Sequence, residues 1–282
     1  MKNLFLLTII ILCSTITYSQ KDSTQTKRIS INEFYFFPAN SIGKSIFSTA
    51  SDFQKLAPNS LLLNKDFTNY SHNSSFKMHP VISPSLNLMV GFKFRNLKHS
   101  SLRVGFGYAS GTSLSTNYIN ENSSIYDTVV STKTGQKSYL YSNYTDKYSM
   151  KNTYEQIRLD VSYIFKAKLG ERVSIYTGLG GTFGIIFNDL TEIQHSNTIT
   201  YDGSEQDVST ISSEAFKNKN SYSYSAYVPL GIDFIVCNKS ELLKRVHLFI
   251  ESRPTINFIN ISGLSTYTNA SMQSGLGIKI KL

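Results

Sequence analysis

The chain has 282 residues, a net charge of +9, 18 Tyr and 18 Phe but no Trp, and two Cys. Beyond the amino-terminal residues no stretch approaches about 20 consecutive apolar residues, which excludes a membrane helix there. The basic residues are dispersed rather than gathered into a run, which argues against a nucleic-acid-binding arm.

The first residues read as an export signal. Lys2 supplies the positive start and Leu4 to Leu12 an apolar run too short to span a bilayer as a helix. Thr17 and Ser19 place small residues where a signal peptidase needs them, so residues 1–19 are expected to be a signal peptide cleaved near Ser19–Gln20. Cys13 raises a lipoprotein alternative, against which stands Leu12, where lipidation signals carry a small residue. After cleavage only Cys237 remains, too few for an internal disulfide. Export also speaks against nucleic acid as a partner. Residues 20–28 are expected to form a short periplasmic segment and residues 29–282 a barrel.

Eight stretches then alternate with period two, as half-buried strands do. In the first, Ile29 to Phe37, Glu33 shares parity with Ile31 and Tyr35, so its register stays open. The second runs from Leu86 to Arg95, with Leu86, Leu88, Val90, Phe92 and Phe94 on one side and Asn87, Met89, Gly91, Lys93 and Arg95 on the other. The third sets Leu102, Val104, Phe106 and Tyr108 against Arg103, Gly105, Gly107 and Ala109. The fourth sets Ile157 to Phe165 against Gln156, Arg158, Asp160 and Ser162, and the fifth carries Val173, Ile175, Leu179, Phe183, Ile185 and Phe187 on one face. The sixth spans Ser221 to Val236, with Pro229 predicting a bulge or break because proline lacks a ladder donor. The seventh sets Val246, Leu248 and Ile250 against His247, Phe249, Glu251 and Arg253, with Pro254 disturbing its outer half. The last sets Leu276, Ile278, Ile280 and Leu282 against Gly275, Gly277, Lys279 and Lys281.

The connections alternate between long and short, as expected of tight periplasmic turns and large external loops. The long ones cover roughly Pro38–Ser83, Ile119–Lys151 and Asp189–Asn220 and are rich in Ser, Thr, Asn and Tyr. Phe53 to Leu63 suggests a short helix. Hairpin cues surround Thr134-Gly135 and Asp202-Gly203. These hairpins either prolong the wall above the membrane or add strand pairs to it.

A soluble sandwich also shows alternation, but here one face is almost wholly Leu, Ile, Val, Phe and Tyr while the other carries mid-strand charges. A sheet in lipid has no tolerable open edge. The expected fold is therefore all-β: a transmembrane antiparallel up-and-down β-barrel of eight strands with long extracellular loops. Eight strands enclose a lumen just wide enough for side chains. A lumen charge network of Lys93, Arg103, Arg158, Asp160, Asp233, Glu251, Arg253 and Lys279 is expected, with Arg103, Arg158 or Arg253 bridging Asp160, Asp233 or Glu251 and blocking a wide channel.

The Thr17-Tyr18-Ser19-Gln20 region, the Leu86–Tyr108 hairpin and the terminal Gly275 to Leu282 strand resemble those of the small outer-membrane β-barrel family of Gram-negative bacteria that includes OmpA-, OmpX- and PorT-type proteins. Members often end in Phe, which helps the assembly machinery recognise them, and Leu282 departs from that. The resemblance implies an outer-membrane location, contact with outer-membrane lipid and lipopolysaccharide, and a role as anchor, adhesin or secretion-machine part. It carries no catalytic residue across.

Other candidate sites are weak. Gly178-Leu179-Gly180-Gly181 looks like a phosphate loop but lies inside a strand, where glycines relieve crowding. His247 with Glu251, Arg253 and Ser223 or Ser225 could mimic a hydrolytic set, but parity puts His247 in the lumen. His72 and His79 lack neighbours at metal spacing. No cofactor or metal is expected. The leading expectation is a non-enzymatic barrel whose loops or wall meet an extracellular or envelope protein. The alternatives are a pore of ten or more strands and a lipid-modifying enzyme.

Overall fold

The computed structural model describes residues 29–44, 46–72, 80–94, 99–202, 208–219, 221–236, 240 and 243–282. The expected signal peptide and the 20–28 segment lie outside the described residues, as do His79, Arg95, Gly203 and Cys237.

In chain order the strands are β1 (Ile29–Lys44), β2 (Ile46–Phe47), β3 (Ser71–His72), β4 (Pro80–Phe94), β5 (Ser100–Val130), β6 (Lys137–Lys168), β7 (Val173–Tyr201), β8 (Val208–Lys217), β9 (Ser221–Tyr227), β10 (Leu230–Ile235), β11 (Val246–Asn260) and β12 (Thr266–Lys281). A helix, α1 (Ala50–Leu56), lies between β2 and β3. Eight wall positions form the barrel, in the order β1, β4, β5, β6, β7, β9 with β10, β11 and β12, each antiparallel to its neighbours. Pairing of β1 with β12, Phe36 opposite Ile278, closes the ring. The sixth wall strand is split at Val228-Pro229, where the missing proline donor interrupts the ladder. Pro254, by contrast, leaves β11 continuous to Asn260.

The register fixes the barrel's dimensions. From Phe36 the ladder leads through Leu88, Phe106 and Leu159 to Phe183 on β7. In the other direction it leads through Ile278, Leu248 and Phe234 to Val173 on the same strand. The two paths end ten residues apart. With eight strands, that stagger sets a tilt of about 40° and a backbone radius of about 8 Å.

The predicted parity holds around the wall. Phe36, Leu88, Phe106, Ile157, Leu179, Phe183, Ile185, Ile232, Ile250 and Leu276 point outward and are exposed. In water that surface would be far larger than a monomer exposes; around a closed sheet it is the lipid-facing band. The unsettled register of β1 resolves at a bulge between Ile31 and Glu33. The extra residue turns the strand over, so Ile31 is exposed while Glu33, Tyr35 and Phe37 point inward.

Gly180, in the run that resembles a phosphate loop, serves packing, as does Gly231. Gly180 faces the Tyr227 ring and Gly231 the Tyr176 ring, each at a distance no β-carbon could share. These notches let two tyrosines lie across a narrow lumen. Replacing Gly231→Ala should cost about 1–3 kcal/mol through overpacking. The check is the temperature at which the purified protein loses its compact, unheated migration in electrophoresis, which should fall.

Above the lipid band the wall continues. The β5–β6 hairpin turns at residues 131–136, with Gly135 at φ +66. From the last lipid-facing aromatic on β5, Tyr108, to the tip this hairpin rises on the order of 50 Å. The β7–β8 pair lies beside it. Both expected loop hairpins therefore prolong the wall and add no strand to the ring. The helix is α1 rather than 53–63. Thr49 caps it through a capping box with Asp52, and Pro58 follows its last turn.

Candidate functional site

Two layers of charge fill the lumen. At its lower end Lys166 bridges Asp233 at 2.8 Å and Glu33 at 3.6 Å, and Lys279 reaches the same two carboxylates. His247 Nδ1 lies 2.8 Å from Asp233, and Tyr35 donates to Glu33. Above this layer, Arg103 donates to Glu251 at 2.6 and 3.3 Å. Arg253 donates to Asp160 at 2.8 Å and also to Glu251. Tyr176 and Tyr227 supply further donors, to Glu251 at 2.7 Å and to Asp160 at 2.5 Å. Phe37 and Tyr227 sandwich the Arg253 guanidinium at 4.7 and 4.8 Å. Arg103, Asp160, Glu251 and Arg253 are each at most 1% exposed. With no water to stabilise them, these charges depend on one another.

The geometry corrects the expected set in several places. Arg103, Asp160, Asp233, Glu251, Arg253 and Lys279 join the network. Lys93 does not: it is exposed at the end of β4 and forms no ion pair among the described residues. Arg158 faces inward but meets no carboxylate among the described residues; its one hydrogen bond runs to Asn87 at 3.4 Å. Glu33 and Lys166 belong to the network and were missed. Glu33 lay beyond a bulge no composition announces, and Lys166 looked like the first residue of a turn.

The hydrolytic set does not assemble. Asn257 pairs with Ser225, ten residues along β11 from His247. Ser225 bonds Thr182 and Ser223 bonds Gln156. His72 stacks on Tyr118 at 4.8 Å and lies 2.6 Å from Thr116 Oγ1.

The outer mouth is roofed by the first loop. Phe53, Leu56, Ala57, Leu63 and Tyr70 pack onto Leu114, Tyr148, Met150, Ile186, Ile193 and Ile259 of the wall. Polar ties fix the edges. Ser60 donates to Glu214 at 2.5 Å, and Asp146 accepts from Lys65 at 2.9 Å and from Tyr70 at 2.5 Å, with His195 at 2.7 Å. Burial works against the Asp146 carboxylate, but the Tyr70, Lys65 and His195 hydrogen bonds outweigh it and hold its pKa below the ordinary value. Burial and the Asp146 contact push the Tyr70 phenol up to about 12.

A ring of eight paired strands, apolar outside and charged inside, can stand only in a membrane. The chain forms a transmembrane β-barrel. Among solved structures, this barrel is similar to the Neisserial surface protein A, at 12% identity over 91% of this chain and 100% of that one, with a TM-score of 0.37. It is also similar to Ail, the attachment invasion locus protein of Yersinia pestis, at 9% identity over 89% and 100%, TM-score 0.28. The outer membrane protease OmpT of Escherichia coli aligns at 8% identity over 94% and 100%, TM-score 0.22. Scores this low assign no activity, and the architecture stands on the barrel's own hydrogen bonding. No family model and no curated protein matches the sequence.

Two outcomes follow for the barrel. Arg253→Met takes from Asp160 its one cation partner among the described residues and from Glu251 one of its three donor residues, so it should lower stability by about 3–5 kcal/mol, read in denaturant titrations of the micelle-bound protein. The roof's tie has a defined sign with pH. A depressed carboxylate stabilises above its unfolded pKa and loses that contribution as pH falls through the folded value. Tryptic cleavage after Lys55 and Lys65 should therefore be slow at neutral pH. Asp146→Asn should raise it about tenfold, in line with the loss of a charged hydrogen bond of roughly 1.5–3 kcal/mol. Hydrogen-exchange protection factors in residues 60–70, corrected for the intrinsic pH dependence of amide exchange, should fall in acid and stay unchanged up to pH 9.

Proposed function

We propose that this barrel is a non-enzymatic, non-conducting surface protein whose tall hairpins bind a protein partner outside the cell. The observation that carries the reading is the contrast between the two ends of the molecule's polar surface. The lumen is spent on internal ion pairs and roofed by the first loop. The β5–β8 extension, in contrast, holds residues 121–139 exposed on both faces. Ile125, Tyr126, Val129, Val130, Tyr139 and Ile211 there are 45–65% exposed. Tyr126 packs edge-on against Tyr201 at 5.3 Å and donates to the Asp202 carbonyl at 2.8 Å, so the tip is ordered before any partner arrives. Rigid tyrosines provide large contact area at little ordering cost.

The pore reading loses its wall, since the hairpins that would have enlarged the ring stand above it. In planar bilayers the protein should be electrically silent; regular conductance steps would restore the pore. A photo-crosslinking residue placed at Tyr126 or Tyr139 in intact cells should yield protein adducts. The same probe at lipid-facing Phe183 should yield none. Adducts at Phe183 alone would move the interaction to the wall and end the loop-based reading.

A further inference from the structure

Between the charge network and the roof lies a partly open cavity of about 60 Å³ to which all eight wall positions contribute. At on the order of 15 Å³ each, that is room for about four waters or a small ion with its partners. The lining mixes neutral polar groups, including Ser85, Thr182, Ser225 and Asn257, with apolar ones such as Val81, Ala109 and Ile259, and its one charged group is Arg158.

The charges below the cavity balance. Lys166 and Lys279 meet Glu33 and Asp233, and Arg103 and Arg253 meet Glu251 and Asp160. Asp160, two residues from Arg158, has one oxygen on Arg253 and the other on the Tyr227 hydroxyl. Arg158 is thus a surplus cation. Its Nε is buried with no hydrogen-bond partner among the described residues. Asp189, a buried carboxylate with no cation partner among the described residues, sits on β7 five residues beyond Gly184, the neighbour of Arg158. That is about 16 Å along the strand, and Asn152, Asn218 and Ser221 already occupy it.

A half-buried guanidinium that faces a cavity inside the barrel keeps its charge and gains from a counter-charge close by. We propose that the cavity is an anion site, in which Arg158 and the surrounding hydroxyl and amide groups hold one small monovalent anion of halide size. Larger polyanions do not fit the volume. The anion neutralises the lumen and completes the packing between the charge network and the roof.

Bromide is the probe. The full-length protein is refolded into detergent and crystallised in sodium bromide, and anomalous diffraction is recorded at the bromine edge. A peak beside the Arg158 guanidinium is the expected result. Water-like density there, or bromide only on the outer surface, overturns the proposal. Arg158→Gln, crystallised identically, should lose the peak, and a peak that persists in the variant equally overturns it. If the variant fails to fold, the wild-type map decides alone. In solution, the gap in heat-unfolding temperature between wild type and Arg158→Gln should widen when bromide replaces sulfate at equal ionic strength, which cancels the general stabilisation by sulfate; a gap that does not change overturns the proposal.

Discussion

A strand in hydrocarbon must pair along both edges, because lipid offers its backbone no other partner. The β1–β12 ladder answers that demand, and the rest of the molecule follows from it. Eight strands with a stagger of ten residues leave a tube about 8 Å in backbone radius. Such a tube cannot hold an aqueous channel and a full set of side chains together. The inward face must therefore be packed like a protein core while being built from the polar half of each strand. Ion pairs and tyrosine hydroxyls meet both conditions, and Gly180 and Gly231 make the space for the rings that carry those hydroxyls.

The same geometry divides the molecule by function. Inside, each carboxylate of the network is shared among several donors, so no group is left with the freedom that turnover or transport requires. Outside the bilayer the constraint relaxes. There the hairpins are no longer obliged to close, and among the described residues β8 pairs with β7 alone. The roof depends on wall residues above the membrane, Tyr148, Met150 and Ile193. The extended wall is thus both the frame for the roof and the base of the exposed tip.

Much of the wall was legible because period two survives burial in lipid as well as it does burial in a core. Phe106 against Arg103, or Ile250 against Glu251, states the face without reference to any partner. Legibility failed where the period broke or was absent. The bulge before Glu33 exchanges the faces of β1, and only the ladder with β4 reveals it. Lys166 lies where β6 outlasts its apolar pattern by three residues. The roof has no period at all: Phe53, Leu63 and Tyr70 come together by tertiary packing, and the sequence placed its helix over 53–63, past the Thr49–Asp52 capping box that starts it. Candidate lumen residues were recognised by parity, but parity cannot distinguish Arg253, clasped by two carboxylates, from Arg158, clasped by none.

That last distinction carries the physics of the interior. In water, one extra arginine among a set of paired charges is of little consequence, since solvent screening makes surface ion pairs worth 0–1 kcal/mol or so. Inside a barrel surrounded by hydrocarbon screening is weaker, and an unmatched charge there is a costly feature for a fold to retain. A glutamine at position 158 would fit among the neighbouring Gln156, Asn87 and Ser85 side chains with no such cost. The presence of an arginine, beside a cavity rather than a carboxylate, is explained if the matching charge is not part of the chain.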